Sequence, residues 1–190
     1  MRYEARLAGA GGQGLVLAGI VLAEAGLLEG HHVVHSQNYG PEARGGNSVS
    51  EVIFSDEEID YPKAMGLDLL VALNQRACSE NLGDMKEDGL VIVDSVTVKK
   101  TLWGKVIRFP LQREADTAFD DSRVVNVLAL GILTPFCSWV CEKSLEQAIA
   151  KVFSGHLVEH NTNTYRAGVK KGLELKESTS FHEHEDAIEV

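Results

Sequence analysis

Residues 3–28 read YEARLAGAGGQGLVLAGIVLAEAGLL. This pattern predicts a strand over Tyr3–Ala8, a glycine loop over Gly9–Gly14 and an apolar helix over Gln13–Leu28. Glycines permit the tight turn from strand to helix and let the backbone approach a ligand. The stretch therefore predicts an α/β fold with a loop at the carboxyl end of its first strand.

Short apolar segments alternate with helical patterns along the rest of the chain. Further strands are predicted at His31–Ser36, Asn47–Phe54, Asp68–Leu73, Leu90–Asp94 and Lys105–Phe109. Helices are predicted at Arg76–Gly83, Val124–Leu133, Ser144–Phe153 and Tyr165–Lys176, with Ser144 as the start of a capping box. This alternation indicates a single three-layer, Rossmann-like α/β domain with a mostly parallel sheet. We expect the domain to span residues 1–175 and an acidic, flexible tail to span 176–190.

Composition excludes several classes of function. The 190 residues carry a net charge of -10, which disfavours a nucleic-acid-binding surface. The longest apolar stretch, Leu15–Leu28, is shorter than the roughly twenty residues of a membrane span and contains Glu24. The start of the sequence lacks a signal-peptide pattern. The three dispersed cysteines, Cys78, Cys137 and Cys141, are typical of a reducing compartment, so we expect a cytoplasmic protein without membrane or nucleic-acid partners.

The glycine loop admits two interpretations. It can hold a phosphate group, because the amides and partial positive charge at the start of the helix attract anions. It can also be a tight turn that binds no ligand or is filled by a partner protein. A dinucleotide site would require an acidic residue at the end of the second strand. His31–Gln37 contains none, which weakens that alternative.

A second glycine-rich segment, YGPEARGGNS, spans residues 39–48. It has no regular periodicity and follows a predicted strand, where ligands commonly bind in open α/β sheets. Arg44 offers a planar fork of donors for a carboxylate or phosphate. A surface turn in which Arg44 pairs with Glu42 explains the same residues.

Together the two segments resemble the gamma subunit of 2-oxoacid:ferredoxin oxidoreductases, the pyruvate, 2-oxoglutarate and ketoisovalerate family. The resemblance extends over roughly residues 3–173 and includes Asn126, at the start of a helix, and Asn161, before the final helix. Arg6–Gly9 and the apolar helix favour the 2-oxoglutarate type. The resemblance implies an accessory subunit without catalytic residues. The ligand-facing or active-site-facing candidates that it implies are Gly9, Gly11, Gly12, Gln13, Gly14, Tyr39, Arg44, Gly45, Gly46, Ser48, Asn126 and Asn161.

The resemblance also implies where the cofactors of such an enzyme bind. Thiamine diphosphate, Mg²⁺ and iron–sulfur (4Fe-4S) clusters are expected on alpha-, beta- and delta-type partner subunits, with coenzyme A as co-substrate and ferredoxin as electron acceptor. Three scattered cysteines cannot provide the four ligands of a cluster. The sequence has no thiamine diphosphate motif. The isolated chain is therefore expected to be inactive and to bind no cofactor firmly.

Two other functions remain open at this point. The chain could be a free-standing nucleotide-binding α/β enzyme, or an assembly module whose glycine loop is empty. Weaker patterns have simpler explanations: Cys137 and Cys141, four residues apart, are expected in the core rather than in a metal or redox site. His31 and His35 would share a strand face without further metal ligands.

Overall fold

A six-stranded sheet forms the centre of the computed structural model, which describes residues 1–39 and 46–179. The strands are, in chain order, β1 (Arg2–Ala10), β2 (His32–Tyr39), β3 (Asn47–Ser55), β4 (Leu67–Ala72), β5 (Met85–Asp94) and β6 (Val106–Phe109). Their order across the sheet is β2-β3-β1-β4-β5-β6. All six predicted strands are present.

The strands run in one direction, with a single exception among the six described. β1 pairs in parallel with β4, β4 with β5, and β5 with β6. β3 is antiparallel to both of its neighbours, β1 and β2. The prediction of a mostly parallel sheet is confirmed. Because β3 runs against β1, its first residue Asn47 lies opposite the last residue of β1, Ala10.

Helices cover both faces of the sheet. They are α1 (Leu15–Leu28), α2 (Gln75–Asn81), α3 (Leu111–Phe119), α4 (Val125–Leu133), α5 (Glu142–Val152) and α6 (His156–Ser178). Successive strand residues point to opposite faces. In β4, Leu69 and Val71 enter the larger core beneath α1 and α3–α6, whereas Leu70 and Ala72 enter a smaller core beneath α2. The predicted three-layer arrangement is confirmed.

Two glycines bring α4 and α6 into backbone contact. A Cβ built on Gly168 would lie 2.6 Å from the carbonyl oxygen of Leu128 and 3.0 Å from the Cα of Gly131. Side chains therefore do not separate the two helices at this point. The close packing fixes the positions of Asn126 on α4 and Asn161 on α6, both of which contribute to the site described below.

Four details differ from the sequence prediction. The final helix begins at His156 instead of Tyr165, so Asn161 lies inside it. The helix Leu111–Phe119 was not predicted. Ser144 is the third residue of α5, and its Oγ accepts a hydrogen bond from the amide of Cys141, the residue before the helix, at 3.2 Å. α6 continues to Ser178, three residues past the predicted end of the domain.

Among the helices of residues 1–39 and 46–179, none combines the length and the apolar character needed to cross a membrane.

Candidate functional site

The two glycine-rich segments meet at the carboxyl end of β1. The backbone amide of Gly11 donates a hydrogen bond to the carbonyl oxygen of Gly46 at 2.9 Å. In the β1–β3 ladder Gly9 lies opposite Ser48, whose side chain is buried. Tyr39, the last residue of β2, pairs with the same Ser48. The ends of two segments that are distant in the sequence are thus neighbours at the carboxyl end of β1.

Part of the second segment lies outside the described residues. Arg44 and Gly45, both predicted to face a ligand, belong to residues 40–45, which are outside the described part of the chain. Gly46 is placed by its hydrogen bond to Gly11. The predicted role of Arg44 therefore stays a prediction.

The backbone of the glycine loop takes conformations that other residues rarely adopt. Gly12 has a φ of +93° and Gly14 a φ of +71°, both in the left-handed region. A Cβ on Gly12 would meet no atom within 4 Å, so this residue is open to its surroundings. A Cβ on Gly14 would lie 2.5 Å from Nδ2 of Asn126. Gly14 is therefore restricted by both its conformation and its packing.

Two side chains hold the loop in shape. Oε1 of Gln13 accepts a hydrogen bond from the amide of Ala10 at 2.7 Å, which closes the loop on itself. Nδ2 of Asn126 donates to the carbonyl oxygen of Gly14 at 3.0 Å. Gln13 and Asn126 were predicted to face a ligand, and that role stays a prediction; in the structure these two side chains form hydrogen bonds within the chain.

The loop presents the positive end of α1. The first amides of a helix have no partner within the helix, and Gly14, which precedes Leu15, has no side chain to cap them. Aligned peptide dipoles add a partial positive charge at this end. The loop can therefore attract a negatively charged group, which is one of the two interpretations of its sequence.

A groove of about 270 Å³ lies beside the loop. Four of the predicted candidates line it: Gly12, Gly14, Asn126 and Asn161. Its apolar wall includes Leu17, Phe153 and Leu157. Asn161 is buried and donates from Nδ2 to the carbonyl oxygen of Leu157 at 2.8 Å, a bond within its own helix. The structure thus brings together the glycine loop and two asparagines from the second half of the chain.

Charged side chains form one rim of this groove. Asp121 accepts hydrogen bonds from Nε and Nη2 of Arg123 at 2.8 and 2.9 Å. Nε2 of His160 lies 3.6 Å from Oδ2 of Asp121. The hydrogen bonds from Arg123 hold the pKa of the Asp121 carboxyl below its usual value. Asp121 and His160 were not predicted as site residues, because no sequence spacing relates a residue before α4 to one within α6.

The other chemically active residues are dispersed. Cys137 is buried, and burial raises the pKa of its thiol, whereas Cys141 is exposed at the start of α5. The prediction that both cysteines lie in the core is confirmed for Cys137 and is wrong for Cys141, because Cys141 precedes α5 at the surface. His35 forms a 2.9 Å hydrogen bond with Ser50, and the ring of His31 lies 4.7 Å from that of Trp139. Among the described residues no three His, Cys, Asp or Glu side chains are grouped to hold a metal ion.

Comparisons with known proteins cover almost the whole chain. Residues 4–171 match the family model described as pyruvate ferredoxin/flavodoxin oxidoreductase. The chain is 39% identical over 180 residues to 2-oxoglutarate synthase subunit KorC of Methanocaldococcus jannaschii, covering 92% of this chain and 96% of that one. It is 34% identical to ketoisovalerate oxidoreductase subunit VorA of Methanothermobacter marburgensis, covering 89% of this chain but 37% of that one.

The fold has the same relatives. The crystal structure of a keto/oxoacid ferredoxin oxidoreductase gamma subunit from Geobacter sulfurreducens superposes with a TM-score of 0.84 at 38% identity. The superposition covers 92% of this chain and 98% of that one. The similarity therefore extends over nearly the whole gamma subunit from Geobacter sulfurreducens and over about a third of the longer ketoisovalerate subunit.

Proposed function

The chain belongs to the pyruvate ferredoxin/flavodoxin oxidoreductase family, and from that premise we propose that it is the accessory gamma subunit of a 2-oxoacid:ferredoxin oxidoreductase. The proposed enzyme converts a 2-oxoacid, coenzyme A and oxidised ferredoxin into an acyl-CoA, CO₂ and reduced ferredoxin. The observation that carries this proposal is the match along nearly the full length of a 2-oxoglutarate synthase subunit. The higher identity to that subunit than to the ketoisovalerate subunit, 39% against 34%, favours 2-oxoglutarate as the substrate.

The residues of this chain do not fit the redox cofactors of such an enzyme. An iron–sulfur cluster requires four ligands, and this chain has three cysteines, one in α2 and the other two in separate places before α5. Thiamine diphosphate, Mg²⁺ and the clusters accordingly belong on alpha-, beta- and delta-type partner subunits in this proposal. The isolated chain is inactive.

The contribution of this chain is a shaped, positively polarised surface at the shared active site. The glycine loop directs the amino end of α1 outward, and the bond between Gly11 and Gly46 holds the start of β3 beside it. Carboxylates of the 2-oxoacid and phosphates of coenzyme A are anions that such a surface attracts. Arg44, in the second segment, supplies the fixed charge.

One alternative has an observation in its favour. Gln13 and Asn126 already occupy one amide and one carbonyl of the loop, as expected for a module that only supports its partners. A free-standing nucleotide-binding enzyme is less compatible with the topology. On one side of β1 lies the antiparallel β3, which places its first residues next to the loop, and on the other side the parallel β4 ends at Ala72 without an acidic residue.

Reconstitution tests the proposed function. Three samples are prepared: the chain alone, the chain together with its candidate alpha-, beta- and delta-type subunits, and those subunits without the chain. Viologen and ferredoxin reduction are then measured with 2-oxoglutarate, pyruvate and 2-ketoisovalerate. We expect activity from the complete complex, none from the chain alone, and a preference for 2-oxoglutarate. Activity of the chain alone, or full activity of the partners without it, would refute the proposal.

A further inference from the structure

A positively charged stretch stands out in this acidic chain. Residues 95–113 contain five basic residues and no acidic one, although the whole chain has a net charge of -10. The five are Lys99, Lys100, Lys105, Arg108 and Arg113. Lys105 forms an ion pair with Asp88 at 3.0 Å, whereas basic residues without such a partner attract negatively charged groups.

Hydrogen bonds hold the first half of this stretch in one conformation. Oε1 of Gln75 accepts the amides of Lys99 and Lys100 at 2.9 and 3.0 Å, and Nε2 of Gln75 donates to the carbonyl of Lys100 at 2.8 Å. Nε1 of Trp103 donates to the carbonyl of Gly89 at 2.7 Å. Arg108 donates to the carbonyl of Val98 at 3.0 Å. The segment is thus bound to α2, β5 and β6.

Leu102 lies between these anchors with its side chain in solvent. It is 92% exposed, although Trp103, its neighbour, is fixed to β5. An apolar groove of about 620 Å³ lies next to it, lined in part by Leu82, Lys99 and Lys100. Both lysines are exposed, and neither forms an ion pair with a carboxylate of the described residues. We call Leu82, Lys99, Lys100 and Leu102 the Leu102 surface.

We propose that the Leu102 surface binds an acidic segment of a partner subunit, with an apolar side chain of that segment between Leu82 and Leu102. The inference rests on the proposed function, because it places the partner within the same oxidoreductase. Charge favours an acidic occupant, since two exposed lysines without carboxylate partners attract acidic groups. Leu102 indicates that the occupant is a protein, because a phosphate-bearing small molecule or a nucleic acid would make no apolar contact with this exposed leucine.

A second copy of this chain is a poorer occupant. A symmetric dimer opposes the same patch on both copies. Lys99 and Lys100 would then face their own equivalents, and like charges placed across an interface are unfavourable. The partner is therefore a different chain.

Binding measurements with charge and shape variants test the inference. The purified chain is titrated with the assembled partner subunits, and its affinity is compared with those of Leu102→Asp and Lys99→Glu/Lys100→Glu. We expect each variant to bind at least about tenfold more weakly, as expected for an apolar anchor and its charged surroundings. Wild-type affinity should also decrease between about 0.05 M and about 0.5 M salt. Matched controls are Leu173→Asp, at an exposed leucine of α6, and Lys143→Glu/Lys170→Glu.

The outcomes separate the inference from the proposed function. If the wild-type chain binds the partners and both Leu102-surface variants bind equally well, the inference is wrong and the proposed function stands. If the wild-type chain does not bind the partners, both fail. If Leu102→Asp instead dissociates a dimer of the isolated chain in sedimentation, the occupant is a second copy and the inference is overturned. Since Leu102, Lys99 and Lys100 are exposed, melting temperatures of the variants should match that of the wild type.

Discussion

The amide of Gly11 and the carbonyl oxygen of Gly46 are joined by a 2.9 Å hydrogen bond. Gly11 follows β1 and Gly46 precedes β3, so the bond connects the two glycine-rich segments at the carboxyl end of β1. A change in one segment is therefore expected to alter the other, and the two should be treated as one site.

We expect Gly14→Val to destabilise the chain more than Gly12→Val. Both positions have a positive φ, but only at Gly14 would a Cβ also collide with Asn126. Strain at each site should cost about 1–3 kcal/mol, and the collision should add to it at Gly14. Gly83→Val is the control, because a Cβ there meets no atom within 4 Å. Equal thermal melts for Gly14→Val and Gly83→Val would contradict the described loop.

We expect Asn126→Ala to lower the free energy of unfolding by about 0.5–1.5 kcal/mol, because the carbonyl of Gly14 would lose one of its two donors and keep only the amide of Ala18. Asn126→Asp should be at least as damaging, since a carboxylate oxygen cannot donate to that carbonyl. Urea denaturation measures both changes, with the exposed Asn163→Ala as control. A wild-type unfolding midpoint for Asn126→Ala would show that this bond does not hold the loop.

We expect Arg44→Ala to leave folding and assembly intact and to lower kcat/KM of the reconstituted complex about 10- to 100-fold. Arg44→Lys should recover only part of the activity, because the ammonium lacks the planar fork. Arg166→Ala, at a surface ion pair with Glu146, controls for loss of charge. Loss of assembly in Arg44→Ala would indicate an interface role, whereas normal assembly and kinetics would exclude both roles.

We expect the Asp121–Arg123 pair to contribute acid-sensitive stability. Arg123 lowers the pKa of the folded Asp121 carboxyl, so the contribution is complete above the pKa of an unfolded aspartate, about 4. It is lost as the pH falls through the lowered pKa. NMR titration should show the Asp121 pKa rising in Arg123→Ala. The same variant should lose less stability than the wild type between pH 7 and pH 3, and an unchanged titration would disprove the pairing.

The strand, glycine loop and first helix could be predicted because each depends on local chemistry. Alternating apolar residues, glycines and an apolar run determine their own conformations. The reversed direction of β3 could not be inferred in this way, because it depends on which strands pair. The helix Leu111–Phe119 was overlooked although Leu111 and Ala115 are buried four residues apart, a spacing that indicates a helix face.

The candidate site was predicted in part for the same reason. Gly12 and Gly14 could be identified from a motif, since the turn itself requires them. Asn126 and Asn161 came only from the resemblance to a family. Asp121 and His160 were missed because they meet through the packing of α6 on α4, where Gly131 and Gly168 are in contact. The spacing of residues along the sequence does not show which helices pack together.

The hydrogen bonds from Gln13 and Asn126 fix the conformation of the glycine loop when the chain folds, before any partner binds. Its backbone entropy is lost as the chain folds, so little remains to be lost when another molecule arrives. A preorganised surface of this kind associates as a rigid body. The rate at which this chain joins a complex should then depend on diffusion and charge, and not on rearrangement of the loop.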